Sequence, residues 1–157
     1  MQSTTRRGLI IGAASFAVTA PLKAFANAGP SIHVLHDPNC GCCGAWVNIL
    51  RDEGFNVTTE KSFGTLLVRY KMDNGIPQNM MSCHTAEIEG YMIEGHVPVA
   101  DIRRLIAERP DAVGLAVPDM PFGSPGMGPE DRREAYDVFL ILRDGTTEVF
   151  TSYAAAT

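Results

Sequence analysis

Ser31-Ile32-His33-Val34-Leu35-His36-Asp37-Pro38-Asn39-Cys40-Gly41-Cys42-Cys43 is the stretch on which the reading of this chain turns. Its first six residues form a short apolar run that predicts a buried strand, and Asp37-Pro38-Asn39 predicts the turn that ends it. A helix is predicted to begin near Cys42 or Cys43. Ala45, Trp46, Ile49 and Leu50 then fall at i, i+1, i+4 and i+5, one apolar face that stops before Gly54. Three of the chain's four cysteines therefore sit at the mouth of a helix. Unpaired backbone N–H groups and the helix dipole stabilise thiolate there. Thiolates crowded this closely are costly unless a soft metal ion or a disulfide uses them.

Working outward, Phe55 to Thr59 alternates as a second strand, and Gly64 to Lys71 predicts a second helix stopped by Asp73-Asn74-Gly75. Met80 to Thr85 reads as a loop. Ala86 to Gly95 reads as two short strands pivoting on Gly90. Val99 to Arg109 is a helix by its spacing of Val99, Ile102, Leu105 and Ile106. Proline and glycine dominate Pro110 to Pro129, so a long loop is expected there. Tyr136–Leu142 and Thr147–Phe150 flank Arg143-Asp144-Gly145-Thr146, and Asp-Gly suits a tight hairpin turn with positive φ. Strand, helix, strand, helix, hairpin, helix resembles the order of a thioredoxin-like unit. The expectation is an α/β, thioredoxin-like fold, a mixed central sheet flanked by helices with a C-terminal β-hairpin extension.

The chain has 157 residues, formal net charge −5, 45% hydrophobic and 20% charged residues, which suits one ordinary globular domain. Arg6-Arg7 precede an apolar stretch, Leu9 to Leu22, and Ala24-Phe25-Ala26 supplies a small-x-small cleavage pattern. That stretch is broken by Pro21 and is short of the roughly 20 residues a bilayer span needs. Residues 1–26 are therefore expected to be an export signal of twin-arginine type, leaving 27–157 as a single domain in the periplasm. Cleavage would remove Arg6, Arg7 and Lys23 and no acidic residue, leaving ten basic groups against 18 acidic ones, a net charge near −8. Such a surface, without a basic stripe, argues against nucleic acid or an anionic membrane as partner, and no stable membrane insertion is expected after cleavage.

The fourth cysteine, Cys83, lies in the predicted loop Met80–Thr85. In a thioredoxin-like unit that loop runs against the helix mouth, so four sulfurs are expected to meet in one small volume. Cys40 and Cys43 alone form a C-x-x-C pair, which suggests dithiol redox chemistry. Two plain disulfides are a third reading, and export to an oxidising compartment permits them. Adjacent Cys42 and Cys43 pair poorly, so an oxidised form should join Cys40 to Cys43 or bring in Cys83. Four thiolates fit zinc, an iron–sulfur cluster or copper(I). Three ligands within four residues suit sulfurs bridging several ions better than mononuclear zinc. Loop thioethers of Met80, Met81, Met120 and Met127 add softness that favours copper(I), although each methionine singly reads as a gap-filler. His36 and His84 are candidate auxiliary ligands. His96, before Val97-Pro98, reads as capping or packing, His33 as structural and Trp46 as core. No Ser-His-Asp grouping, phosphate loop or nucleotide fingerprint is visible.

Four motifs together carry a family resemblance: His36 through Cys43, Ser82-Cys83-His84-Thr85-Ala86, Glu94-Gly95-His96-Val97-Pro98, and Gly114 through Pro121 continuing to Met127. From about Ile32 to Tyr153 the chain resembles the periplasmic copper-resistance family called CopG. The resemblance implies a thioredoxin-like fold and a copper–thiolate cluster on Cys40, Cys42, Cys43 and Cys83. It also implies a redox role in copper detoxification in the cell envelope, with copper ions and other envelope copper-handling proteins as partners. The expected function is thus an exported protein holding more than one copper(I) ion. The alternative is a thiol–disulfide oxidoreductase using Cys40 and Cys43.

Overall fold

A computed structural model describes residues 29–157; the expected export segment lies outside the described residues. The chain runs β1 (Ser31–His36), α1 (Gly41–Asp52), β2 (Asn56–Lys61), α2 (Gly64–Asp73), β3 (His84–Ile88), β4 (Tyr91–Gly95), α3 (Val99–Glu108), β5 (Ala112–Val117), β6 (Tyr136–Leu142) and β7 (Thr147–Tyr153). Single 3₁₀ turns at Gln78–Met80 and Glu130–Arg132 lie in the connections. Seven strands form one sheet in the order β2-β1-β3-β4-β5-β6-β7. β1 runs parallel to β2, β4 parallel to β5, and the other neighbours are antiparallel, so the sheet is mixed.

Alternation along the strands divides the core between two faces. Ile32, Val34, Ile88, Ile93 and Leu115 pack with Trp46 and Leu50 of α1 and with Ile102 and Leu105 of α3. Met92, Ala116 and Ile141 pack on the other face with Ile76 and Met80, and Tyr70 of α2 joins them. The predicted hairpins are both present. Glu89 and Gly90 both have positive φ, the geometry of a two-residue turn whose twist matches its strands. At the second turn Gly145 has φ +84°, and the Asp144 carboxylate accepts from the Thr146 backbone N–H at 2.9 Å.

Two expectations need correction. Pro110–Pro129 is not one long loop, because Ala112–Val117 forms β5 between β4 and β6. This strand is buried from both sides, so it shows an unbroken apolar run in place of alternation. Gly114, which suggests a turn in sequence, is needed there because a Cβ would sit 1.7 Å from the Met92 carbonyl oxygen. The loop assigned to Met80–Thr85 is also shorter than expected. His84 and Thr85 already pair with His36 and Leu35 of β1, which leaves Cys83 immediately before β3.

Candidate metal centre

The helix mouth is built by the Asp37-Pro38-Asn39 turn. Asp37 accepts the Asn39 N–H through its carboxylate at 2.8 Å and the Cys40 N–H through its carbonyl at 3.0 Å. The chain then enters α1 with Cys40 at the cap position and no side chain capping the first turn. The free amide groups and the positive end of the helix dipole are therefore left facing the sulfurs.

Cys83 arrives on the connection that leads into β3, the strand beside β1. Its Sγ lies 3.5 Å from Cys43 Sγ and 3.9 Å from Cys42 Sγ, while Cys40 Sγ lies 3.2 Å from Cys42 Sγ. All four sulfur atoms fall within 4.8 Å of one another, the convergence expected from the sequence. Cys40 and Cys43 are joined as a disulfide, with Cα atoms 5.5 Å apart, and Cys42 and Cys83 are free. Burial and then the neighbouring Cys42 push the Cys83 thiol up to about 12, so it keeps its proton until a cation or a partner sulfur takes its place.

Two imidazoles complete the group. His84 Nδ1 and His96 Nε2 each lie 3.3 Å from Cys83 Sγ, and the three donors sit within 4.8 Å of one another. Burial holds both rings below the usual histidine range, so each is a neutral donor at pH 7. His96 Nδ1 donates to the Pro125 carbonyl at 2.8 Å, and because a carbonyl only accepts, the Nε2 lone pair is directed at the sulfur. His84 is clamped from behind by Trp46, ring centroids 4.4 Å apart, and Trp46 Nε1 donates to the Val97 carbonyl at 3.0 Å. The assignment of Trp46 to the core is correct, and the same side chain also backs the site.

Of the two auxiliary candidates, His84 joins the group and His36 does not. His36 Nδ1 donates to the Asp37 carbonyl at 3.1 Å and belongs to neither cluster of donors. His96 was expected to cap or pack and instead faces Cys83. The available signal was three polar residues, Glu94, His96 and Ser124, inside otherwise apolar or glycine-rich buried stretches. His33 is structural as expected, bonded to Thr58 at 2.9 Å. Met80 is core, Met120 is 39% exposed, and Met81 lines a cleft of about 450 Å³ that opens onto Cys40 and Cys83 between the Asp37–Cys40 turn and α2. The loop carrying Met127 lies against the mouth of α1, where a Cβ on Gly126 (φ +84°) would sit 2.8 Å from the Trp46 backbone nitrogen.

The fold and site define an α/β protein with a half-buried sulfur cluster and two neutral imidazoles, a donor set suited to a soft metal ion. A protein-family model described as "Protein of unknown function, DUF411" matches residues 80–127, the segment from the loop before Cys83 to Met127. Among solved structures, form 1 of "Copper resistance protein copG" is 45% identical, covering 81% of this chain and 99% of that one, with a TM-score of 0.75. Form 2 is 46% identical, covering 80% and 98%, with a TM-score of 0.73. No curated protein matches the chain. The chain belongs to the CopG family of copper-resistance proteins. Among the described residues, no helix is long and apolar enough to cross a membrane.

Proposed function

We propose that this is a periplasmic copper-resistance protein that captures more than one copper(I) ion on Cys40, Cys42, Cys43 and Cys83. The observation that carries this reading is the meeting of four sulfurs within 4.8 Å. His84 and His96 are auxiliary donors; His36 supports the turn instead. Copper(I) is preferred to zinc because three cysteines within four residues suit sulfurs that bridge several soft ions, whereas mononuclear zinc more commonly takes its thiolates as pairs from separate loops. Capture requires the Cys40–Cys43 bridge to be reduced by two electrons. An external dithiol supplies those two electrons and is itself left as a disulfide. Re-formation of the bridge passes two electrons to an external disulfide, which is reduced to two thiols, and by removing two thiolate donors it releases metal.

The β2-β1-β3-β4 order with α1 following β1 supports a thioredoxin-like scaffold in which β5 to β7 are an extension. Residues 1–26 serve as an export signal and 27–157 act as one domain. Its partners are copper ions and other copper-handling proteins of the envelope, with no nucleic acid. Anaerobic titration of the reduced mature chain should take up more than one copper(I) per chain, with sulfur-to-metal charge-transfer absorption. Saturation at one ion, unchanged by Cys83→Ser, removes the cluster.

The Cys40–Cys43 disulfide favours a second reading, a thiol–disulfide oxidoreductase in which copper is incidental. Insulin-reduction turnover that survives Cys42→Ser and Cys83→Ser would support it over the first.

A further inference from the structure

Cys83 sits on a connection without regular structure, yet its sulfur meets two others within 4 Å. Something must fix the backbone that carries it. Lys71, near the end of α2, is 2% exposed, and Glu94, in β4, is fully buried. Lys71 Nζ donates to Glu94 Oε1 and also to the Ser82 carbonyl at 2.6 Å. The same Glu94 Oε1 accepts the Ser82 N–H at 2.6 Å. One buried ion pair therefore occupies both backbone groups of the residue that precedes Cys83. Charge-assisted hydrogen bonds of this kind are about twice as strong as neutral ones and hold their partners in a narrow geometry. As a source of net stability such a pair is poor, since apolar side chains of similar volume do as well or better. Its chemistry suits alignment more than cohesion.

We propose that Lys71 and Glu94 are positioning residues for the fourth sulfur, gripping the Ser82 backbone so that Cys83 meets Cys42 and Cys43. This inference rests on the four-sulfur reading and deepens it. The trio at α1 is held by one helical turn and needs no help, whereas Cys83 must be delivered from another part of the chain. Without the grip, the connection from Met81 to Cys83 gains freedom and the shared site becomes intermittent.

A test without copper separates this inference from the copper reading. In a Cys40→Ser background the local bridge is impossible, and Cys43 faces Cys83 across 3.5 Å. Diamide then takes up two electrons and two protons as the Cys43–Cys83 bond forms, which peptide mapping quantifies over time. Adding Lys71→Met together with Glu94→Gln removes both charges at once and strands neither. This closure is expected to slow about tenfold. Closure of Cys40–Cys43, followed with the same pair of substitutions in a Cys83→Ser background, should keep its native rate, which a general loosening of the fold would not allow. Glu94→Asp keeps both charges but withdraws the carboxylate from Ser82, so it should slow the long-range closure to an intermediate rate, and it carries the test if the double substitution fails to fold. Equal Cys43–Cys83 closure rates with and without the ion pair, in variants of native circular dichroism, would overturn the proposal.

Discussion

His96 Nε2 lies 3.3 Å from Cys83 Sγ because its other ring nitrogen is tethered to the Pro125 carbonyl at 2.8 Å. The relationship joins the strand-to-helix connection, the proline–glycine loop and the fourth sulfur through a single ring. Outer partners that orient a metal ligand commonly govern affinity by 10–100-fold. His96→Phe is therefore expected to weaken copper(I) retention about tenfold or more in competition with a chromophoric chelator. The number of reactive thiols should stay as in the parent protein, and unaltered retention would remove His96 from the site.

The oxidation state of the sulfurs is directly countable. With Cys40 and Cys43 joined and Cys42 and Cys83 free, alkylation in denaturant without reductant, which exposes the buried Cys83 thiol, followed by mass measurement should add two labels. Prior reduction should raise this to four. No label before reduction would point to two disulfides, the stapled module considered from the sequence.

Trp46 is fully buried, gives its indole N–H to the Val97 carbonyl, and backs His84. Trp46→Ala should cost about 3–5 kcal/mol through the cavity it leaves. Trp46→Phe keeps most of the volume but orphans the carbonyl, at a cost of about 1–3 kcal/mol. Urea denaturation reads both. A loss under 1 kcal/mol for the alanine variant would mean that the site wall repacks without it.

Much of this architecture was legible in the residues. The cysteine turn and α1, the tight Asp144-Gly145 corner, and the one-sided apolar spacing of α3 are local signals, and each appeared where its chemistry demands. Convergence of Cys83 on the other cysteines followed from the order of elements. What was missed depends on contacts between distant segments. β5 hides among prolines and glycines because a strand buried on both faces does not alternate, and Gly114 answers to the Met92 backbone, far off in sequence. Lys71 looks like an ordinary cation near a helix end until Glu94 and Ser82 are seen around it. His96 sits in a stretch that reads equally well as a helix start, and only the Pro125 carbonyl determines which way its ring faces.

Alkaline titration tests the attachment of the C-terminal hairpin. Burial pushes the Tyr136 phenol up to about 12, with the negative Asp101 and Glu130 adding to the shift and Arg133 opposing it. Tyr153, stacked on Tyr136 with centroids 4.9 Å apart and donating to Asp101 at 2.7 Å, is raised chiefly by burial as well. The folded chain keeps protons that the unfolded chain releases from about pH 10. This contribution to stability is fully present below that pH and is lost as the pH rises towards 12. The urea midpoint should fall across this window, and less steeply in Tyr136→Phe. An identical slope in the variant would show that Tyr136 ionises as it does in the unfolded chain.

The bridge between Cys40 and Cys43 spans a sequence separation of only three residues. Chain-entropy reasoning gives so small a ring about 2 kcal/mol, far less than a clasp between remote segments would provide. Opening it frees almost no backbone, because the helical turn that contains it is already held by α1. The scaffold is thus largely indifferent to how many electrons its sulfurs hold. On the proposed function, each opening and closing of this bridge asks the fold to absorb only that small change.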